Sequence, residues 1–544
     1  MSQPPPEIQV QNLDHLGIVA GIIDSIGLVE EVNQLLGTHP QEHVSCGQVL
    51  KGLILNGLGF VCAPLYLFEQ FFVGKATEHL IGPGVQPEHF NDDRLGRVLD
   101  KLYEEGTTKV FVHLALKAAR QFGIKTGSVH LDSTSFHVDG EYIPRGRLAP
   151  RAEDEPQPIV ITHGYSRDHR PDLKQFLLSM ITSGDGDVPL YLRVGNGNEA
   201  DKAIFAQMIQ DFRSQWDVDA LFVVDSALYS AQNLSEVQAM HWLSRVPSTL
   251  TQVKHLLAAL SDEQFAPAQP GYRVAEVGST YAEIQQRWVV VASDERRKSD
   301  LAALDKKLNE LDGKLGKELT ALCKMAFACE ADALEAAERF ASGLKFHLLG
   351  AVRAVEQARH DQAGRPARGS KPAKTGVWLL SAQLVRNATA IEVEQHSAGK
   401  FVLATNVLDE QELSTAEVLS EYKAQQSVER GFRFLKDPLF FTSSVFLKSP
   451  ERVEALAMVM GLCLLVYSLG QRQLRLALSA AQLTVKSQTK KPTATPTLRW
   501  IFQVFQAVHL LEVSGVKQVS NLSEERRRIV KCLGPTCGQY YLMG

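Results

Sequence analysis

Cysteine is scarce in this sequence: seven residues in 544, namely Cys46, Cys62, Cys323, Cys329, Cys463, Cys532 and Cys537. An odd count without regular spacing excludes a disulfide-stapled framework and points to reduced thiols in a cytoplasm. Cys532 and Cys537 hint at a metal by their closeness, but no second pair or nearby histidine completes a zinc set. Positive charge is not in excess either, with 57 Lys and Arg against 62 Asp and Glu and a formal net charge of −5. That balance excludes a protein that coats nucleic acid by bulk charge, so any such contact falls to local basic patches. Long apolar runs are missing too. The longest, at 455–469, falls short of the roughly 20 residues that span a bilayer and reads as a buried helix. The N-terminus, MSQPPPEIQVQN, has neither the basic nor the apolar region of a secretion signal, so a cytoplasmic protein with no membrane role is expected. Internal repeats and low-complexity tracts are likewise absent from the sequence.

What remains is ordinary globular composition, 44% hydrophobic and 22% charged, with material for three or four domains at roughly 150 residues each. Residues 10–125 are helical in pattern. Leu16, Ile18, Val19, Ile22, Ile23 and Ile26 form one stripe, Val49 to Phe60 another, and Asn91 to Gly106 carries capping residues before an apolar-periodic run. From 126 to 248 short apolar or alternating runs predict strands at 128–138, 158–166, 188–195, 220–230 and 240–247, with a helix over 201–216. This alternation predicts an α/β domain with a mixed sheet. Residues 249–412 interrupt it with a charged, helix-rich stretch, a basic loop at 364–376 and strand-like segments at 376–383 and 400–407. Helices resume over 413–480, and 481–544 forms a basic, then mixed, C-terminal helical region. Six Lys or Arg and no acid lie within 471–510.

Three acids stand out by placement. Asp132 and Asp225 each close an apolar strand (VHLD, LFVVD), at the sheet edge where ligands bind in open α/β sheets. Glu429 lies in EYKAQQSVERGFRFLKDP, 421–438, read as one helix. At about 100° per residue, Tyr422, Glu429 and Lys436, spaced by sevens, share a face, and Gln425 and Arg433 lie within about 40° of Glu429. Val428, Phe432 and Leu435 make an adjoining apolar stripe that can pack on a sheet. Two strand-end aspartates and one helix glutamate suffice to hold a pair of hard divalent cations with oxygen ligands.

The order Asp132, Asp225, Glu429, with YKAQQSVERGFRFLK around the third acid, resembles the DDE transposases of bacterial insertion sequences, in the group with a Tyr-Arg-Glu-Lys signature. That pattern falls here on Tyr422, Gln425, Glu429 and Lys436, with Gln425 in place of the arginine. HGYSRDHRPDLKQF (163–176) and the N-terminal helical region also look like this group. The resemblance implies an α/β, RNase H-like mixed sheet with helices, interrupted by a large α+β insertion between its last strand and the Glu helix, plus an N-terminal helical domain that binds DNA. In keeping, 204 positions separate Asp225 from Glu429 and only 93 separate Asp132 from Asp225.

It further implies two Mg²⁺ ions, replaceable by Mn²⁺, held by Asp132, Asp225 and Glu429 as catalytic residues. The partners implied are double-stranded DNA, as inverted-repeat ends and target, and a second copy of the chain in a synaptic homodimer. Tyr422, Gln425, Arg433 and Lys436 are the expected DNA contacts, joined by Arg167, His169 and Arg170 in the charged loop. A nuclease of the same fold without strand transfer, a catalytically inactive DNA-binding derivative and a helix-rich scaffold are the competing readings. The basic loop 365–374 and the stretch 471–510 are candidate phosphate patches.

Overall fold

A computed structural model describes residues 8–60, 63–142, 157–166, 170–216, 218–360, 374–437 and 447–543. The N-terminal stripes become helices α1 (Leu16–Ile26), α2 (Cys46–Gly57), α3 (Asp92–Glu105) and α4 (Thr107–Phe122). Their starts are fixed by side-chain caps where the sequence supplies them. Ser45 and Gln48 form a reciprocal capping box, and the Asn91 side chain accepts the Arg94 N–H with Asp92 and Asp93 favouring the positive helix end.

The central sheet has nine strands. In chain order they are β1 (Ser128–Val138), β2 (Lys174–Ser183), β3 (Pro189–Gly195), β4 (Leu221–Val224), β5 (Trp242–Arg245), β6 (Ala266–Gln269), β7 (Tyr272–Tyr281), β8 (Ile284–Ser293) and β9 (Lys400–Thr405). Their spatial order is β3-β2-β1-β4-β5-β9-β8-β7-β6. β1 to β3 form an antiparallel meander, and β4 and β5 then run parallel to β1. Helix α5 (Asp201–Trp216) links β3 to β4. A three-stranded meander continued by parallel strands on its first member is the RNase H-like arrangement.

Three features depart from the sequence reading. The segment 158–166 contributes one bridge, Thr162 to Gln175, and no strand. The residues 249–412, expected as a separate insertion, divide. β6 to β9 lengthen the central sheet, while α6 (Asp294–Cys323), a helix at Glu330–Ser342 and a small sheet of Ala326–Phe327, His347–His360 and Lys374–Arg386 form an outlying lobe. The C-terminal region also folds back on the N-terminal helices. Strand Ile8–Asn12 pairs with His509–Val513, and helix Pro535–Tyr540 packs on α1.

The helices after the sheet are α7 (Thr415–Ala424), α8 (Gln426–Leu435) and α9 (Pro450–Ala480). α9 is long and apolar, and its apolar middle is buried between the N-terminal helices and β3. Gly461 lets it approach: a Cβ there would sit 2.1 Å from the Leu192 side chain and 3.1 Å from Phe111. Arg452 from its first turn grips Asp100 of α3 through two short contacts, 2.7 and 2.6 Å.

Glu454 on α9 lies beside Thr107, which donates to it at 2.8 Å, with Arg193, Glu451 and the Ile159 backbone also facing it. Burial pushes its carboxyl from 4.5 up to about 7, against the opposing hydrogen bonds and Arg193. A carboxyl raised on folding favours the folded state most below its unfolded value, and that contribution is lost as pH rises through the folded value. Stability is therefore expected to fall between pH 4.5 and about 7. After allowance for partial exposure the fall is about 1–2 kcal/mol. Glu454→Gln should flatten this slope in thermal melts recorded across that range.

Candidate active site

Strand directions gather the site at one sheet edge. β1, β4 and β5 are parallel, so their C-terminal ends point the same way. β9 runs against β5, β8 against β9 and β7 against β8. The end of β8 and the beginnings of β9 and β7 therefore reach that same edge. A cleft of about 710 Å³ opens there, and Asp132, Asp225 and Glu429 line it together with Arg245, Ser293, Arg296, Phe401, Tyr272, Tyr422, Lys423 and Gln425.

The register fixes how the two aspartates stand. Leu131 pairs with Val224, so one residue further Asp132 and Asp225 are cross-strand neighbours, with strands about 4.8 Å apart. In parallel strands such neighbours project to the same face. Local backbone amides hold both carboxylates: Ser133 N–H donates to Asp132 Oδ1 and Ala227 N–H to Asp225 Oδ1, each at 2.8 Å. Glu429 reaches the cleft from α8, which buries Val428, Phe432 and Leu435 against the central core that β1 and β2 share. Among the described residues, no three carboxylate, imidazole or thiol groups are drawn tightly enough to enclose an ion. The donor set still suits a hard divalent cation: oxygen ligands only, two of them paired by register with like charges that a cation would reconcile.

The expected single helix over 421–438 is two. α7 and α8 meet at Gln425, where Gln425 N–H bonds Tyr422 C=O and Val428 N–H bonds Gln425 C=O, both three residues back. Such a turn takes about 120° per residue instead of about 100°, so Tyr422 does not keep the face that a continuous helix would give it. Gln425 is buried and its amide donates to the Leu131 carbonyl at 3.4 Å. It is turned to the strand carrying Asp132 and lines the cleft there.

The remaining sequence candidates scatter. Tyr422 is in the cleft with its ring 6.0 Å from Phe401. Burial raises its hydroxyl above the ordinary value, Arg245 opposes the rise, and Asp225 adds to it. The Lys436 ammonium lies 5.7 Å from the Phe136 ring, further along β1 than Asp132. Arg433 is exposed on α8. Arg170 pairs with Asp172 at 2.8 Å and does not line the cleft. Arg167 and His169 lie outside the described residues, as does the basic loop at 365–373.

Of the 471–510 patch, three arginines are committed internally: Arg472 to Asp185 and to the Phe122 and Gly123 carbonyls, Arg475 to the Pro496 carbonyl, and Arg499 to Asp437. Cys537 is buried against the Ile18 carbonyl, and burial pushes its thiol up to about 12, the reverse of what a metal thiolate needs.

Sequence reasoning missed Arg245, Arg296, Lys423, Phe401 and Tyr272. Arg245 closes an apolar strand, WLSR, as Asp225 follows the end of its own, and that was the available signal; Asp132, read as closing a strand, lies instead within β1, which continues to Val138. The others lie in the region read as an insertion or beside Tyr422, and only the extension of the sheet brings them to the edge.

An RNase H-like sheet with a cross-strand aspartate pair and a helix glutamate at one edge defines a class of α/β domains built around acidic clefts. The chain's sequence then places it within that class. Residues 128–467, more than half of the chain, match the family model of the transposase DDE domain, and residues 8–116 match a domain of unknown function, DUF4277. The chain belongs to the DDE-domain transposases. No curated protein matches it. A solved piggyBac transposase synaptic complex with hairpin DNA is similar at 9% identity and a TM-score of 0.36, over 98% of this chain and 88% of that one, a likeness too slight to bear on mechanism.

Proposed function

We propose that this transposase binds the double-stranded inverted-repeat ends of its element, cuts them, and joins the freed 3′-hydroxyls to target DNA. Asp132, Asp225 and Glu429 are the catalytic acids and hold two Mg²⁺ ions, for which Mn²⁺ substitutes. When bound, such ions activate the attacking oxygen and stabilise the leaving one. The chain's own contribution is positioning. Backbone amides of Ser133 and Ala227 aim the two aspartates, and Gln425 ties the helix junction beside Glu429 to β1. Tyr422, Lys423, Arg433 and Lys436 hold the DNA strand near the acids, and two copies of the chain bring the two ends together. The observation that carries this reading is the Asp132–Asp225 register pair in one cleft with Glu429.

The test is to incubate purified protein and Mg²⁺ with duplexes carrying the genomic sequence that flanks its gene, and to map cut and joined strands. Cuts at the borders of inverted repeats followed by joined products are expected. Cuts without joining would mean a nuclease, and no metal-dependent cutting would overturn the reading.

A further inference from the structure

The register that pairs the two aspartates continues one strand further. Val224 pairs with Ser244, so Asp225 is in turn the cross-strand neighbour of Arg245. Across three adjacent parallel strands the same sheet edge reads Asp132, Asp225, Arg245, a span of about 10 Å at ordinary strand spacing. The Ser244 hydroxyl donates to the Asp225 carbonyl at 2.8 Å and fastens the two strand ends together.

The Arg245 guanidinium carbon lies 5.4 Å from the centre of the Phe401 ring, and its charge acts on the Tyr422 hydroxyl, opposing the rise that burial gives that group. Arg296, from the first turn of α6, faces the same ring at 5.6 Å while reaching Asp300 at 3.5 Å. Two guanidiniums on one ring are at most about 11 Å apart, and both line the cleft. Like charges gathered in a cleft favour an anion between or beside them. Guanidinium is the side chain suited to a phosphodiester, because its planar fork offers two parallel donors.

We propose that Arg245, supported by Arg296, binds the backbone phosphate of the DNA strand at the three acids, and that Arg245 contacts the phosphate being cut. This rests on the reading of the cleft as the DNA-processing site. Attack on a phosphodiester adds one negative charge to the phosphoryl group at the transition state. A fixed guanidinium one strand away from Asp225 is placed to meet that charge without reorganising.

The experiment measures binding and cutting separately. Fluorescence anisotropy follows a labelled duplex of the gene-flanking sequence in Ca²⁺ at several salt concentrations, for wild type, Arg245→Gln, Arg245→Lys and Arg296→Gln. Each variant's melting temperature is compared with that of wild type. Arg245→Gln should weaken binding about tenfold and lower the slope of log affinity against log salt by about one. Arg296→Gln, in an exposed first turn, should lower the slope similarly and serves if Arg245→Gln folds poorly. Arg245→Lys should restore binding and slope but leave Mg²⁺-dependent cutting roughly 10²-fold slow, because a point charge lacks the fork.

A wild-type salt slope in both glutamine variants would overturn the proposal, and so would full cutting by Arg245→Lys, which would mean that Arg245 merely neutralises Asp225. Wild-type protein that fails to bind the duplex would instead sink the DNA reading of the cleft itself.

Discussion

Replacing Asp225 with Asn should slow DNA cutting by roughly 10³-fold while leaving the melting temperature within about a degree of wild type. The size follows from the several kcal/mol that a correctly held divalent ion contributes to phosphoryl transfer, with about 4 kcal/mol equal to three powers of ten. The stability half follows from the surroundings. Asp225 is only half-buried, and its carboxylate accepts a bond from Ala227 N–H that an asparagine oxygen also makes. Removing a negative charge beside Asp132 relieves like-charge repulsion, so the fold does not suffer. Glu429→Gln, on an exposed position of α8, should behave alike. Single-turnover cutting of pre-bound DNA, with thermal melts on the same samples, reads both quantities. A variant that cuts within tenfold of wild type would remove that residue from the catalytic set.

The second large effect concerns the seam between the chain's two ends. Lys51 on α2 is 3% exposed, and its ammonium donates to Asp24 Oδ1 at 2.6 Å and to the Tyr540 hydroxyl at 2.8 Å. Tyr540 in turn donates a short hydrogen bond to the other Asp24 oxygen. Burial lowers the Lys51 ammonium below its ordinary value, with Asp24 opposing the shift. Lys51→Met keeps the stem's packing but strips the cation from Asp24, leaving a carboxylate that is 25% exposed.

Breaking a buried pair from one side costs about 3–5 kcal/mol, and the partial exposure of Asp24 brings the expected loss to about 2–4 kcal/mol. The Lys51→Met, Asp24→Asn double variant should recover part of it, since no unpaired charge remains. Urea unfolding of wild type, Lys51→Met, Asp24→Asn and the double variant measures the coupling. Equal stability of Lys51→Met and wild type would show that the C-terminal helix is held by apolar packing alone.

Much of the site was legible because an apolar run leads into each aspartate, within β1 for Asp132 and at the end of β4 for Asp225, and β1 occupies 128–138 as read. The helix at 201–216 was equally plain. β2 escaped because nearly all its residues are buried, so no alternation marks it, and it follows a charged loop. β7 alternates over polar residues within a charged region, and nothing local says that it joins a distant sheet. The break at Gln425 was invisible for a different reason. A tertiary bond to the Leu131 carbonyl accompanies a tightened turn inside a stretch whose local pattern is helical throughout. Arg245 was overlooked because a strand-end arginine acquires meaning only once its neighbours across the sheet are known.

Direct titration of Mn²⁺ into the protein, followed by electron paramagnetic resonance, asks whether the three acids act as one ion-holding set. Wild type should take up Mn²⁺ in a bound form, and Asp132→Asn, Asp225→Asn and Glu429→Gln should each weaken that uptake by tenfold or more, about 1.4 kcal/mol apiece. Undiminished Mn²⁺ uptake by all three variants would place the ions elsewhere and contradict the assignment.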